Sequence, residues 1–238
     1  MPDRSSPKER LRRLREITRV LLKYGLKEIA EKLELPRVFF AKRGKSRLSL
    51  AQKVKAILEE LGPTYVKLGQ ALSCHPDILP REVIQELGKL KDKVEPFPSP
   101  QAEKIISKTL KKPAKEVFAE FDPVPFASAS LSQVHHARVP SGEKVAVKIQ
   151  RPDLERTISG DLNLMYFMAH LMEKHLPELK RYELSRLVSE FERSIEKEID
   201  FRLEANNYEH FRKNFADHPE VYFPKVFREY SGRDVLTL

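Results

Sequence analysis

The stretch that decides the fold reads Ala127-Ser128-Ala129-Ser130-Leu131-Ser132-Gln133-Val134 and continues, 11 residues after Val134, as Val145-Ala146-Val147-Lys148-Ile149-Gln150. Apolar side chains alternate with smaller or polar ones along the second piece, which is the two-residue period of a β-strand. The turn residues Pro140-Ser141-Gly142 separate this strand from segment 130–139. The two pieces therefore predict a β-hairpin.

The first piece carries small residues where the phosphate loop of protein kinases carries glycine. Against the pattern G-x-G-x-x-G-x-V followed by V-A-x-K, the glycine positions fall on Ala127, Ala129 and Ser132, and the valine on Val134. Small side chains let backbone N–H groups approach phosphate oxygens closely. The pattern predicts an ATP site made by Ala127, Ser128, Ala129, Ser130, Ser132, Val134, Ala146 and Lys148.

Lys148 lies in a strand that otherwise reads as buried, where an ammonium group needs an anionic partner. In a kinase fold the partners are nucleotide phosphate and a helix glutamate. On a helix through 184–205, Glu198 falls inside the apolar stripe, so we predict that Glu198 pairs with Lys148 and that both are catalytic. Two alternatives stay open: Lys148 reaching solvent from a sheet edge, and Glu198 pairing with Arg202 on its own helix. Asp200 points about 200° away from Glu198.

Periodicity and Pro/Gly punctuation give the remaining elements. We predict helices over 10–34, 48–61, 64–73, from Pro80 to about 90, 101–110, 113–121, 153–175 and 183–213, with short strands at 225–229 and 234–238. Residues 41–47 have no periodicity and predict a linker, and Pro96-Phe97-Pro98-Ser99-Pro100 marks an internal boundary. Lys67 and Gln70 share one side of their helix, and Gly69 would admit another backbone.

The formal net charge of +9 is concentrated near the N-terminus. Residues 1–50 hold 15 Lys and Arg against 6 Asp and Glu, so this segment carries all of the imbalance. The predicted helix 10–34 has an apolar stripe flanked by arginines, which indicates an anionic surface such as lipid or nucleic acid. The alternative is a helix packed on the protein body with solvated charges.

Several classes of protein are disfavoured by composition. No apolar run approaches the roughly 18 residues of a membrane span, and no signal-peptide core precedes the first helix. The single cysteine, Cys74, has no partner for an intramolecular disulfide, and the chain has no CxxC or HExxH metal motif. We expect a cytoplasmic protein, peripheral on the inner face of the membrane if it binds one, with no metal site of its own.

Five motifs follow one another along the chain: Gly62-Pro63-Thr64-Tyr65-Val66-Lys67-Leu68-Gly69-Gln70, Pro76-Asp77-Ile78-Leu79-Pro80, Pro125-Phe126-Ala127-Ser128-Ala129-Ser130, Val145-Ala146-Val147-Lys148-Ile149-Gln150-Arg151-Pro152 and Glu198-Ile199-Asp200-Phe201. Together they resemble the UbiB family of atypical protein-kinase-like proteins. The resemblance extends from about residue 10 to the last residue, and the order of the motifs makes it specific.

The resemblance implies an α+β, mostly helical fold: a protein-kinase-like small lobe, with an antiparallel sheet and inserted helices, preceded by a helical KxGQ extension. It implies binding of ATP with Mg²⁺ and a role in ubiquinone or other isoprenoid lipid metabolism at membranes. It divides the chain into a basic helix and linker at 1–47, the KxGQ extension at 48–98, and the lobe at 99–238.

The resemblance also implies roles for particular residues. The KxGQ helix, with Lys67, Gly69 and Gln70, would be regulatory and would cover the site of a protein substrate, which favours ATPase or small-molecule kinase activity. The ExD residues would be Glu198, paired with Lys148, and Asp200, reaching the KxGQ helix. This chain has Ser73-Cys74-His75-Pro76-Asp77 where the family usually has Ser-Thr-Arg-Pro-Asp, so any role of that arginine does not transfer.

A kinase also needs a catalytic-loop Asp and Asn and a metal-binding Asp before Phe-Gly, all on its large lobe. His75-Pro76-Asp77 precedes the phosphate loop, and Asp200-Phe201-Arg202 lies in a predicted helix, so neither provides them. We therefore expect a lobe truncated near the hinge, whether as a fragment, a split gene or a relic, whose Mg²⁺ ligands and partner chain belong to a large lobe.

Two functions follow from the sequence. The first is the N-terminal half of a UbiB-type kinase or ATPase that acts in or regulates isoprenoid lipid metabolism. The second is a non-catalytic module that docks on a membrane or a partner. Nucleic-acid binding is disfavoured, because the basic segment lacks the interleaved aromatic residues of a base-stacking surface.

Overall fold

The computed structural model describes residues 7–24, 48–90 and 94–238. The predicted linker at 41–47 and the second half of the predicted helix 10–34 lie outside these residues. The helices are α1 (Pro7–Lys23), α2 (Leu50–Leu61), α3 (Pro63–Leu72), α4 (Arg81–Leu87), α5 (Ser99–Leu110), α6 (Ala114–Val117), α7 (Leu154–His175), α8 (Leu184–Glu198) and α9 (Phe201–Asn214). The strands are β1 (Glu120–Phe121), β2 (Ala127–Ser128), β3 (Ser132–Arg138), β4 (Lys144–Gln150) and β5 (Val235–Thr237).

The chain forms two compact units. The first unit combines the part of the chain before Lys93 with Glu155–Arg193, and the second combines Lys93–Leu154 with Ser194–Leu238. The sections 1–47, 48–98 and 99–238 stay a prediction; in the division into units, Glu155–Arg193 cluster with the N-terminal helices and Ser194–Leu238 with the sheet. No described helix is both long enough and apolar enough to cross a bilayer.

The α2–α3 corner of the first unit has strong local signals. The Ser49 hydroxyl accepts the Gln52 backbone N–H at 3.2 Å, while the Gln52 side chain accepts the Ser49 N–H at 3.0 Å. This capping box fixes the start of α2. Gly62 ends α2 at φ 101°, a conformation that favours glycine, and Pro63 opens α3, where its missing N–H costs nothing.

Helix α1 packs its apolar side within the first unit. Ile17 and Val20 are each 4% exposed. Leu14, Leu21 and Leu22 join a hydrophobic cluster with residues of α7. An ion pair also anchors the helix, since the Arg13 Nε donates to Asp161 Oδ1 at 2.7 Å. The structure therefore favours the alternative in which this basic helix packs on the protein body.

The sheet of the second unit is antiparallel, with strand order β1-β3-β4-β5 and β2 also paired with β3. The predicted hairpin is confirmed as β3–β4, with Val134 opposite Lys148 and His136 opposite Ala146. The predicted strand at 234–238 is confirmed as β5, which pairs with β4. The predicted fold class, mostly helical with a small antiparallel sheet, is confirmed.

The two faces of the sheet have different neighbours. One face packs against α5 and α6 in a core that contains Ala102, Ile106, Val145, Val147 and Ile149. The opposite face packs against α9, where Phe201, Ala205 and Leu236 form a separate buried cluster. Period-two alternation along β4 therefore directs Val147 to the first face and Lys148 to the second.

A buried polar network lies within the first core. The Gln133 side chain accepts the Phe97 N–H at 3.0 Å and donates to the Phe97 carbonyl at 3.2 Å. Its amide also lies 2.9 Å from His135 Nε2, while His135 Nδ1 lies 2.8 Å from the Asp122 carbonyl. A neutral imidazole that donates from Nδ1 and accepts at Nε2 satisfies all these groups. Burial lowers the pKa of His135 below its ordinary value.

Three local predictions are wrong. The predicted helix 183–213 is interrupted: α8 ends at Glu198 and α9 begins at Phe201. The predicted helix 113–121 is shorter, since α6 ends at Val117 and the chain enters β1. Residues 225–229 form no strand, and Arg228–Tyr230 is a single 3₁₀ turn.

Candidate functional site

The small-residue loop is the turn between β2 and β3. Ala127 pairs with Val134 and Ser128 with Gln133, and the Ala129 N–H donates to the Ser132 carbonyl at 2.8 Å. Ser130 and Ser132 are buried, whereas Ala127 is exposed. The loop is thus a tight hairpin turn whose first residues, Ser128 and Ala129, are partly exposed and whose last residues are buried.

Three of the predicted nucleotide-binding residues share one face of the sheet. Val134 lies directly opposite Lys148, and Ala146 lies two positions before Lys148 on the same strand. On the other side of β4, Leu236 lies opposite Lys148. The face therefore presents an ammonium group flanked by apolar side chains, next to the turn of small residues.

The anionic partner of Lys148 is Glu204, not Glu198. The Lys148 Nζ lies 2.9 Å from Glu204 Oε1 and 2.7 Å from Glu204 Oε2. The side chains are 29% and 30% exposed, so the pair is half-buried. The Nζ also lies 4.8 Å from the centroid of the Phe201 ring, within the range of a cation–π contact. The predicted pairing of Lys148 with Glu198 is wrong.

The interruption between α8 and α9 explains the change of partner. Ile195 and Ile199 continue the buried stripe of α8, and Glu198 lies on its exposed side. Asp200 then caps α9 by accepting the Arg202 N–H at 3.1 Å, so the helical phase begins again. Phe201 packs near β5, and Glu204, three residues later, lies on the same side of α9 and meets Lys148.

Arg202, the other partner that the sequence allows for Glu198, pairs with Asp200 instead. The Arg202 Nε and Nη2 lie 2.9 Å and 2.6 Å from the two Asp200 oxygens. Hydrogen bonds from Arg202 hold the pKa of Asp200 below its ordinary value. The start of α9 could have been found in the sequence, because aspartate is one of the residues that commonly cap the N-terminus of a helix, and Asp200 stands at that position.

The predicted KxGQ residues lie on α3 in the first unit. The Gln70 Nε2 donates to the Leu90 carbonyl at 3.3 Å, which ties α3 to the chain beyond α4. Gly69 is buried, and a Cβ built there would lie 2.5 Å from Leu90 Cδ1 and 2.7 Å from Leu58 Cδ1. Leucine side chains, rather than the predicted backbone, approach Gly69. Lys67 is half-buried on the same helix.

The described residues contain no cluster of three or more His, Cys, Asp or Glu side chains that could hold a metal ion. Cys74 is exposed, and the His75 Nδ1 lies 3.8 Å from the Asp77 carboxylate next to it.

Known proteins resemble this chain over most of its length. Residues 89–238 match the family described as the ABC1 atypical kinase-like domain. The chain is 42% identical over 237 residues to a protein named probable protein kinase UbiB from Marinobacter nauticus, covering 96% of this chain and 43% of that protein. Its identity to the protein of the same name from Pseudomonas aeruginosa is 37%, covering 96% of this chain and 45% of that protein.

A solved structure is also similar. The structure of Rv3197 from Mycobacterium tuberculosis, determined in complex with erythromycin, has a TM-score of 0.53 and 31% identity, covering 79% of this chain and 47% of that protein. The chain thus spans a little under half the length of the curated relatives it matches. Because the family described as the ABC1 atypical kinase-like domain matches more than half of its residues, this chain belongs to that family, as an N-terminal portion similar to UbiB.

Proposed function

We propose that this chain binds ATP with Mg²⁺ as the small lobe of a UbiB-type atypical kinase or ATPase, which acts in or regulates ubiquinone or other isoprenoid lipid metabolism. The observation that carries the proposal is the ammonium group of Lys148, held by Glu204 on the face of the sheet that adjoins the turn at 127–132. An ion pair in this position orients a lysine for nucleotide phosphate in kinases.

Each part of the site has a role toward the nucleotide. Lys148 would contact phosphate oxygens, while Val134 and Ala146 would cover the adenine ring. The partly exposed start of the turn, Ser128 and Ala129, would approach the phosphates, because its side chains are small. Mg²⁺ neutralises phosphate charge when it is bound. The described residues offer no carboxylate cage for that ion, so it would accompany the nucleotide.

Calorimetric titration of MgATP into the purified chain tests the proposal. We expect Lys148→Ala to weaken binding at least tenfold, because the variant removes the cation that meets the phosphates. Lys144→Ala is the matched control, since Lys144 lies on the same strand but is exposed at its far end. Equal affinities of the wild type and Lys148→Ala would contradict the proposal.

Phosphoryl transfer would need groups beyond those described. The catalytic-loop Asp and Asn and the metal-binding Asp of a kinase position the γ-phosphate and its ion, and we place them on a large lobe, in the same protein or in a complementary chain. We expect no ATP turnover from residues 1–238 by themselves. Hydrolysis above the level of Lys148→Ala would show that the catalytic groups have been misplaced.

A second candidate function, docking on an anionic membrane surface at the inner face of the cell membrane, is favoured by one observation. Helix α1 exposes Arg12 and Arg19, which lie seven residues apart and so on one side of the helix, while Ile17 and Val20 are buried. Because the apolar side is already packed, attraction to lipid headgroups rather than insertion would hold the helix on a bilayer. Isoprenoid lipids within that bilayer would then lie close to the protein.

Vesicle flotation separates this second function from the first. We expect recovery on vesicles that contain anionic lipid, with loss of recovery at high salt and in the double variant Arg12→Glu/Arg19→Glu. Arg193→Glu/Arg212→Glu makes the same charge change on exposed sites of other helices and serves as the control. Equal recovery of both double variants would contradict membrane docking by α1.

A further inference from the structure

Arg151 follows β4 directly, three residues after Lys148, and its side chain lies over the turn between β2 and β3. We infer that Arg151 is the positioning residue of the phosphate loop: its guanidinium group fixes the conformation of the turn that borders the proposed nucleotide site. The inference rests on the proposed nucleotide site, and it adds a residue that does not itself touch the nucleotide.

The contacts of Arg151 hold the turn at successive residues. The Arg151 Nε donates to the Ala129 carbonyl at 3.0 Å, and the Arg151 Nη2 donates to the Ser128 hydroxyl at 3.0 Å. The Arg151 backbone N–H donates to the Leu131 carbonyl at 2.9 Å. A guanidinium group presents its donors in a rigid plane, so these contacts restrict both the position and the orientation of the turn.

The orientation matters because a trans peptide is planar, with its C=O and the following N–H pointing in opposite directions. With the Ala129 carbonyl directed at Arg151, the Ser130 N–H is directed away from it. The Leu131 carbonyl has the same relation to the Ser132 N–H. Arg151 thus binds two carbonyl oxygens of the turn and thereby fixes the orientation of the peptide groups that follow Ala129 and Leu131, at residues that are buried.

The composition of the turn already limits its backbone conformations. A glycine-rich loop gains close backbone approach at the expense of order, whereas Ala129 and Ser130 reduce the range of backbone conformations. The guanidinium then selects one conformation. It also joins the turn to the segment that enters the second unit, since Nη2 donates to the Glu95 carbonyl at 2.9 Å and the group lies 5.7 Å from the Phe97 ring centroid.

The charge of Arg151 supports the same role. The hydrogen-bond acceptors recorded for it among the described residues are neutral oxygens of Ser128, Ala129 and Glu95. Burial lowers its pKa below its ordinary value. Lys148, by contrast, is neutralised by Glu204. The positive charge that remains at the turn therefore comes from Arg151, and it favours an anion beside the loop.

Hydrogen exchange without nucleotide tests the positioning role directly. We compare Arg151→Gln and Arg151→Lys with Arg193→Gln, an exposed arginine on α8 that serves as the control for loss of charge. Both Arg151 variants should exchange the amides of the turn at least tenfold faster, while those of the β3–β4 hairpin stay protected. Ser128→Ala removes one acceptor from the loop side and should give a smaller increase.

Calorimetry with MgATP provides the second readout. Arg151→Gln should lower the affinity about tenfold, in line with the loss of charged hydrogen bonds. Arg151→Lys should lower it nearly as much, because a single ammonium group does not span Ser128 Oγ and the Ala129 carbonyl as the planar fork does. Full recovery of affinity in Arg151→Lys would overturn the inference and leave a purely electrostatic role.

The two readouts separate the inference from the proposed function. Unchanged turn exchange in both Arg151 variants overturns the positioning role, whatever the nucleotide affinity. Faster turn exchange in the Arg151 variants, together with no binding of MgATP by the wild type, overturns the proposed function and supports the assignment of Arg151 to the turn. Protection of β4 in each variant shows that the fold has survived the substitution.

Discussion

The Lys148–Glu204 pair makes a quantitative prediction about stability. Exposed ion pairs contribute about 0.2–1 kcal/mol, and breaking a fully buried pair costs about 3–5 kcal/mol. Side-chain exposures of 29% and 30%, with both Glu204 oxygens within 2.9 Å of the Nζ, place this pair between those limits. We expect a coupling free energy of about 1–2 kcal/mol in a double-mutant cycle of Lys148→Met and Glu204→Gln.

Urea unfolding of the wild type, both single variants and the double variant measures this coupling. A second cycle of Lys148→Met with Glu198→Gln is the control, and there we expect additivity within about 0.5 kcal/mol. An uncoupled Glu204 cycle would refute the argument that the half-buried pair stabilises the docking of α9. Coupling of equal size in the Glu198 cycle would restore the partner that the apolar stripe of the sequence predicts.

Three further predictions concern buried groups. Burial lowers the pKa of His135, so the stability gained from its neutral form is present above the ordinary pKa of about 6.5 and is lost as the pH falls through the lowered value. The dependence of the unfolding free energy on pH between pH 5 and 7 should therefore be weaker in His135→Gln, but not in a variant of the exposed neighbour His136. Gly69→Val should destabilise by about 2 kcal/mol in urea unfolding, since its side chain would collide with two leucines, and a cost no greater than that of Gly88→Val would contradict this. Arg13→Ala should destabilise more than Asp161→Asn, because only the former leaves a carboxylate buried without its cation; thermal midpoints in the opposite order would disprove it.

The sheet face of the candidate site could be predicted from the sequence. Alternation along β4 and the turn at 140–142 fix which residues share a face, so Val134, Ala146 and Lys148 come together as expected. The same holds for the α2–α3 corner, where Gly62 and Pro63 mark the junction. These features depend on interactions between near neighbours in the chain, and near neighbours are what a sequence pattern records.

The partner of Lys148 and the division into units were decided only by tertiary structure. A helical wheel assumes one continuous helix, and the interruption at Asp200 shifts the phase so that Glu204, six residues beyond Glu198, reaches the sheet. Residues 155–193 cluster with the N-terminal helices because buried side chains of α7 complete that core. Arg151 contacts Glu95 and Ala129, which precede it in the sequence by 56 and 22 residues. The sequence by itself determines periodicity, caps and turns. The pairing of distant groups depends on how whole elements pack, because the residues that bury a side chain or neutralise its charge come from distant parts of the chain.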